Sequence, residues 1–215
     1  MIYDGHEVVV SVDPGFGGTG ICMFVSGKLY RFHNIKFKKE GTERYVEIAS
    51  RTAKTIVWWL SDLRAAARIP DEMYVKAFHL VIESPHAMGG VKGRASLGSG
   101  GIFKVTKLAG AIGAVVCLYV QTYLDEQSLQ FDVVHEPAKM ALYYPEVRAW
   151  KGQISKATTK RRVLRDVVYD DVYTPNRKYK LTTAFPEHIF DAAGLGMWFL
   201  QKLKENTHEN FKEIN

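Results

Sequence analysis

The feature that most constrains this 215-residue chain is a carboxylate that ends an apolar run and leads directly into a cluster of glycines. Residues 8–12 read Val-Val-Val-Ser-Val, and they are followed by Asp13, Pro14 and Gly15. A β-branched apolar run of this kind is typical of a buried strand, and Pro-Gly ends it in a turn. The next apolar run, residues 20–25, predicts a strand that returns beside the first.

The glycines also match the Gly-x-Gly-x-x-Gly fingerprint of dinucleotide sites, at Gly15, Gly17 and Gly20. In that fold the glycine turn opens a helix, whose N-terminus holds the pyrophosphate. Here it opens residues 21–25, Ile-Cys-Met-Phe-Val, which predict a strand. The sequence therefore argues against a dinucleotide site. Glycines at this turn would instead let another backbone, or phosphates, approach closely.

The remaining patterns predict an α/β fold. Three further strands are expected at residues 28–37, 78–83 and 131–134, and four helices at residues 43–67, 102–123, 155–169 and 187–203. The order β-β-β-α-β-α-β-α-α predicts one five-stranded mixed sheet, an antiparallel meander followed by parallel strands, flanked by helices. We expect residues 1–203 to form a single domain and residues 204–215 to form a frayed polar tail.

Charge distribution favours a polyanionic partner. The formal net charge is +6, and residues 139–180 alone contain eleven Lys or Arg against four Asp or Glu. A second basic stretch, residues 28–39, lies near the first glycine turn. A charged run is usually a solvated face, but two such stretches beside candidate chemistry favour nucleic-acid binding.

The cysteines and the apolar segments indicate where the chain is located. Cys22 and Cys117 each lie in an apolar run, without disulfide or metal-site spacing, so we expect an intracellular, cytoplasmic protein. The polar residues 1–7 do not resemble a signal peptide. The apolar run at residues 108–120 is interrupted by two glycines and is expected to be too short to span a membrane.

Three acidic residues are placed where a catalytic site could form. Asp13 and Glu83 each end a predicted buried strand, and neighbouring strand ends bring side chains within a few ångströms. His188 and Asp191 are three residues apart, so they share one face of the last helix. An acid on a packed helix is costly unless it is paired or binds a metal. A solvated strand end, a helix-capping acid and a packing histidine remain the structural alternatives.

These residues resemble the RuvC family of Holliday-junction resolvases, within the RNase H-like superfamily. The resemblance lies in V-D-P-G-x-x-x-T-G at residues 12–20, I-E at 82–83 and H-x-x-D-A-A at 188–193. K-L-A-G-A-x-G at residues 107–113 is similar to the family's central helix. P-x-V at residues 145–147, with the lysines that follow, is similar to its basic segment. The resemblance implies an RNase H-like fold and an endodeoxyribonuclease that resolves four-way junctions by paired phosphodiester hydrolysis.

The resemblance also implies a cofactor, two Mg²⁺ or Mn²⁺ ions per site. Asp13 would bridge both ions, with Glu83 on one side and Asp191 on the other. His188 would be a further ligand or would orient the attacking water. Two ions roughly 3.5–4 Å apart stabilise both the attacking and the leaving oxygen of a phosphodiester.

The implied partners are branched DNA and a second copy of the chain. Phe103 would wedge between unpaired bases, unless it is a core residue. The helix at residues 102–123 would form the homodimer contact, unless it is a buried core helix. The basic residues expected to contact DNA phosphates, unless they form a solvated face, are Lys92, Arg94, Lys107, Lys151, Lys156, Lys160, Arg161 and Arg162.

Two alternatives remain within this fold. The same chemistry could act on flaps, other branched DNA or RNA–DNA hybrids, or the chain could be a DNA-binding module that does not cleave. The glycine turn also resembles the phosphate loop of sugar-kinase and actin-like ATPases. Those enzymes need two facing domains, for which 215 residues are too few.

Overall fold

The computed structural model describes residues 6–36, 45–66, 75–85, 101–129, 138–152, 154–169 and 180–212. Its centre is a five-stranded sheet in the order β3-β2-β1-β4-β5. The strands are β1 (His6–Asp13), β2 (Gly18–Val25), β3 (Lys28–Lys36), β4 (Val75–Ile82) and β5 (Lys139–Tyr143). β1 to β3 form an antiparallel meander, whereas β4 and β5 run parallel to β1. The predicted mixed sheet is confirmed.

The helices cover both faces of this sheet. They are α1 (Tyr45–Ala66), α2 (Gly101–Leu129), the single turn α3 (Val147–Trp150), α4 (Lys156–Asp166) and α5 (Glu187–Lys212). α1 and α2 pack together on one face, and α4 and α5 pack on the other. The last helix therefore continues beyond the predicted end at residue 203.

Two cores follow from the alternation of side chains along the buried strands. Val10 and Val12 of β1 face α1 and α2, where they meet Ile56. Val9, one position away, faces α5, where it belongs to the same core as Phe190. Because both faces are covered, the central strands are continuously apolar rather than alternating.

The fifth strand differs from the prediction. The described strand is β5, which pairs with β4 from Ala77 to Val81, whereas the predicted strand at residues 131–134 lies outside the described residues. β5 reads Lys-Met-Ala-Leu-Tyr, a short segment at the sheet edge whose composition does not mark it as a strand. The first residues of the predicted basic window are therefore part of the sheet.

The helix in the basic window is shorter than predicted. Ser155 caps α4 by accepting a hydrogen bond from the backbone N–H of Thr158, at 3.2 Å. The helix ends at Asp166 because Val167 is extended, and Tyr169 forms an isolated bridge with Leu29 of β3. The chain leaving α4 thus returns to the sheet.

α2 (Gly101–Leu129) is longer than the apolar run at residues 108–120, which the sequence predicts to be too short to span a membrane. The segment Gly101–Glu126 is long and apolar enough, by length and composition alone, to cross a membrane. The expectation that it is too short is therefore wrong. Core helices of globular proteins pass the same test, and Leu108, Ile112 and Val116 of α2 are buried against α1 and the sheet.

Candidate active site

Asp13 and Glu83 lie side by side at one edge of the sheet. β1 and β4 are parallel neighbours, with Val12 opposite Ile82. The backbone N–H of Glu83 donates to the carbonyl of Val12 at 2.9 Å, so the ladder continues to the acid itself. The carboxyl ends of the two strands therefore place both acids together, as the sequence predicts.

The N-terminal part of α5 sits directly on the glycine turn. A Cβ at Gly20 would overlap the His188 carbonyl group, and a Cβ at Gly15 would lie 2.9 Å from His188 Cε1. Ser11 Oγ donates to the Ala192 carbonyl at 2.7 Å, which holds the helix on β1. The glycines thus admit another backbone, and this close approach brings His188 and Asp191 over Asp13.

A histidine and a lysine each contact one of the acids. His188 Nδ1 lies 2.5 Å from Asp13 Oδ2, and this hydrogen bond raises the pKa of His188. Lys151 Nζ donates to Asp191 Oδ1, and this ion pair is largely buried, with side chains 10% and 12% exposed. Burial raises the pKa of Asp13 despite His188, and the negative charge of Asp191 adds to that rise.

Among the described residues, Glu83 is the one of these three acids that has no cationic partner in direct contact. Burial raises the pKa of Glu83 to about 8, and the charges of Asp13 and Asp191 contribute to the rise. Its Oε2 is buried and forms no hydrogen bond within the described part of the chain. The three carboxylates therefore lie close enough to repel one another electrostatically. Glu83 Oε2 is the oxygen among them that a ligand could contact.

The donor set suits a hard divalent cation, but the side chains are not yet arranged around one. Among the described residues, no group of three His, Cys, Asp or Glu is positioned to hold a metal ion. His188 and Lys151 instead occupy Asp13 and Asp191. Three carboxylates with one spare buried oxygen match the ligands that Mg²⁺ and Mn²⁺ take. The residues therefore fit such an ion once the ion pair between Lys151 and Asp191 is broken.

Trp150 is a site residue that sequence reasoning missed. Its indole Nε1–H is near enough to lower the pKa of Glu83, yet it is buried without a hydrogen bond of regular geometry. Lys151 Nζ lies 5.2 Å from the centre of the Trp150 ring, and a Cβ at Gly194 would touch that ring at 3.0 Å. The only signal in the sequence is its place immediately before Lys151.

The predicted DNA-binding lysines differ in their surroundings. Lys151 lies inside the site, on Asp191, rather than on the surface. Lys156 pairs with Glu187 at 2.6 Å, and that hydrogen bond raises the pKa of Lys156. Lys160 donates to the Thr183 carbonyl at 2.5 Å. All three stand close to the start of α5.

The other predicted contacts are exposed or lie outside the described residues. Arg161 and Arg162 are exposed on α4, and Lys107 is exposed on α2. Phe103 is 60% exposed near the start of α2, so the alternative of a core residue is excluded. Lys92 and Arg94 lie outside the described residues.

The fold resembles solved resolvase structures at low sequence identity. Thermus thermophilus RuvC in complex with a Holliday junction substrate has a TM-score of 0.50 and 13% identity, covering 94% of this chain and 97% of that chain. T. thermophilus RuvC by itself has the same TM-score and identity, covering 93% and 97%. The yeast mitochondrial Holliday junction resolvase Ydc2 has a TM-score of 0.41 and 12% identity, covering 94% and 85%.

Sequence comparison finds no such relatives. No protein-family model matches the chain, and no curated protein matches it significantly. The chain nevertheless has a RuvC-like resolvase fold, as the resemblance of its motifs implies.

Proposed function

We propose that this chain, whose fold is that of RuvC-like resolvases, is a metal-dependent endonuclease that cuts four-way DNA junctions by phosphodiester hydrolysis. The observation that carries the proposal is the position of Glu83, a buried carboxyl with a spare oxygen, coupled to both Asp13 and Asp191. Grouping three acids in a buried region costs stability, and a cationic ligand offsets that cost. A bound divalent cation would therefore stabilise this arrangement of acids.

Asp13, Glu83 and Asp191 would hold Mg²⁺ or Mn²⁺. The bound ions would activate a water and stabilise charge on the phosphate oxygens. Asp13 accepts from the His188 ring at Nδ1 and so fixes its orientation, which leaves Nε2 to take a proton from the attacking water. The half-exposed position of His188 gives that water access to the ring.

Lys151 supplies a positive charge at the centre of the site. Its ammonium group holds Asp191 while no other cation does so. When Asp191 turns to a divalent ion, the ammonium group is placed to neutralise charge that develops on the phosphate. The Trp150 ring beneath Lys151 limits the positions that its side chain can take.

The DNA backbone would lie along α4. Arg161 and Arg162 are exposed on this helix, which packs against α5 beside the site. Lys156 and Lys160 flank the same region, and their present partners are exposed groups that a phosphate can replace. Lys107 and Phe103 remain candidates for DNA contacts on the α2 side. Lys92 and Arg94, which lie outside the described residues, remain candidates for DNA contacts by their charge alone.

A second copy of the chain would cover the outer face of α2. Leu118 is 66% exposed there, Leu142 is exposed on β5, and Tyr144 is exposed immediately after β5. A Cβ at Gly113 would overlap the Tyr144 hydroxyl, so the segment that follows β5 packs directly on α2, and exposed apolar side chains lie on both. A two-fold dimer would bury this surface and provide two sites for two strands. Leu118→Glu should give monomers by analytical ultracentrifugation, and an unchanged dimer would exclude this contact.

The test of the activity is a panel of labelled substrates. Four-way junction, flap, duplex and RNA–DNA hybrid are incubated with Mg²⁺, Mn²⁺ or EDTA. Junction cleavage into nicked duplexes that requires metal is the expected result. Preferential cutting of flaps or hybrids would change the substrate, and binding without cutting under any metal would leave a DNA-binding module.

Asp13→Asn separates catalysis from binding. The substitution removes a ligand charge but keeps the size and most hydrogen bonds of the side chain. Cleavage should be lost, and junction binding in a gel-shift assay should remain or become tighter, because a negative charge facing phosphate has been removed. Equal loss of binding would show that Asp13 is structural.

A further inference from the structure

An exposed aromatic side chain stands at the tip of the turn that carries the site. Phe16 lies three residues after Asp13, between β1 and β2, and is 37% exposed. On one side of it, Gly15 packs against the His188 ring; on the other, a Cβ at Gly17 would meet nothing within 4 Å. The turn is therefore fixed against the site and opens to solvent at the next residues.

Phe16 is held in place by a single described ring contact. Its ring meets that of Tyr45, the first residue of α1, edge to face, with centroids 5.6 Å apart and planes at 74°. Tyr45 itself packs against the core between α1 and the sheet. Phe16 thus has a firm support while more than a third of its surface stays in water.

We infer that Phe16 is a positioning residue that stacks on the base or deoxyribose of a nucleotide adjoining the phosphate that is cut. Three residues of chain reach roughly 10 Å, so the ring lies within about one or two nucleotides of Asp13. Bases splayed from a helix, as at a branch point, stack readily on aromatic side chains. The inference rests on the proposed function, because it requires DNA at the site.

This inference gives Phe16 a role distinct from that of Phe103. Phe16 follows Gly15, which packs against the His188 ring. A stacking contact between Phe16 and a nucleotide would therefore determine where the adjoining phosphate lies relative to the catalytic groups. Phe103 is carried by the start of α2, a different element. Loss of Phe16 should therefore slow cleavage more than it weakens binding, whereas a wedge that only opens the junction would affect binding first.

The test uses a junction with 2-aminopurine at the nucleotide beside the cut phosphate. Wild type should quench the fluorophore on binding in Ca²⁺, because stacking quenches it, and should cut the unlabelled junction in Mg²⁺. Phe16→Ala should lose the quenching and cut roughly 10- to 100-fold more slowly. Phe16→Trp should retain both properties. Trp58→Ala, which removes a 61% exposed aromatic from α1, is the control and should behave as wild type.

Phe16→Leu distinguishes stacking on the nucleotide from packing against Tyr45. Leucine keeps an apolar contact with Tyr45 but offers no π-face, so it should fail to quench and should cut slowly, although its urea midpoint matches wild type. Normal quenching and cutting by Phe16→Leu or Phe16→Ala would overturn the inference. If wild type cuts no DNA, the proposed function fails instead, and quenching by wild type but not by Phe16→Ala would still show the stacking contact.

Discussion

Gly20 of β2 lies opposite Asp13 of β1 and fixes the distance between α5 and this pair of strands, so a single methyl group there should separate the catalytic groups. In Gly20→Ala the new Cβ would overlap the carbonyl carbon and oxygen of His188, and Ile189 N would lie 2.9 Å away. These atoms are backbone, so no side-chain rotation relieves the overlap. The N-terminal part of α5 must move away from β2.

The displacement is on the order of 1 Å, and a misplacement of this size costs about 100-fold in rate when reacting groups are held apart. Overpacking of this kind also destabilises the fold by about 1–3 kcal/mol. Cleavage rates of the junction in Mg²⁺ and urea unfolding, measured on the same preparations, should show both effects. Because α4 packs on α5, we expect the two helices to shift as a unit, so junction binding should fall far less than cleavage.

Gly110→Ala is the matched control. Gly110 is exposed on α2, and a Cβ there would meet nothing within 4 Å. Alanine in a helix should raise stability by roughly 0.5–1 kcal/mol and leave the cleavage rate unchanged, with analytical ultracentrifugation used to check that the oligomeric state matches wild type. Wild-type cleavage by Gly20→Ala would show that the position of α5 over Asp13 is not needed, and the site built here would be wrong.

Three further results are expected. The folded-state pKa of Glu83, about 8 against an ordinary 4.5, means that the metal-free folded protein retains a proton which the unfolded chain loses. Unfolding free energy should therefore fall as pH rises from about 4.5 to 8, by at most about 1.4 kcal/mol per pH unit, and Glu83→Gln should remove that part of the fall. Lys151→Met leaves the buried Asp191 charge unpaired, so it should lower the free energy of unfolding by about 3–5 kcal/mol without metal. In thermal melts, Mg²⁺ should raise the melting temperature of this variant more than that of wild type, and equal rises would mean that Lys151 and the ion do not share Asp191. Arg161→Ala and Arg162→Ala should each weaken binding to every DNA and lower the slope of log affinity against log salt by about 1, and an unchanged slope would remove α4 from the DNA surface.

The sequence by itself determined the sheet and the acids at its edge. β1 and β2 are buried apolar runs closed by turns, and the apolar residues of β3 and the end of β4 mark two further strands without any knowledge of their neighbours. Asp13 and Glu83 terminate such runs, and parallel neighbouring strands bring their ends to one edge whatever the rest of the chain does. The glycines at the β1–β2 turn and at the start of β2 likewise predicted the close approach of another backbone.

Only the tertiary structure decided which groups meet at that edge. His188 reaches Asp13 across 175 residues, and Lys151 reaches Asp191 across 40. No local pattern encodes such pairs, because they depend on how α5 docks on Gly20 and where α3 places Trp150 and Lys151. The edge strand β5 escaped prediction for a related reason, since its short, mixed sequence becomes a strand by pairing with β4. Local periodicity reports the burial of a segment, whereas the chemistry of this site arises from contacts between segments.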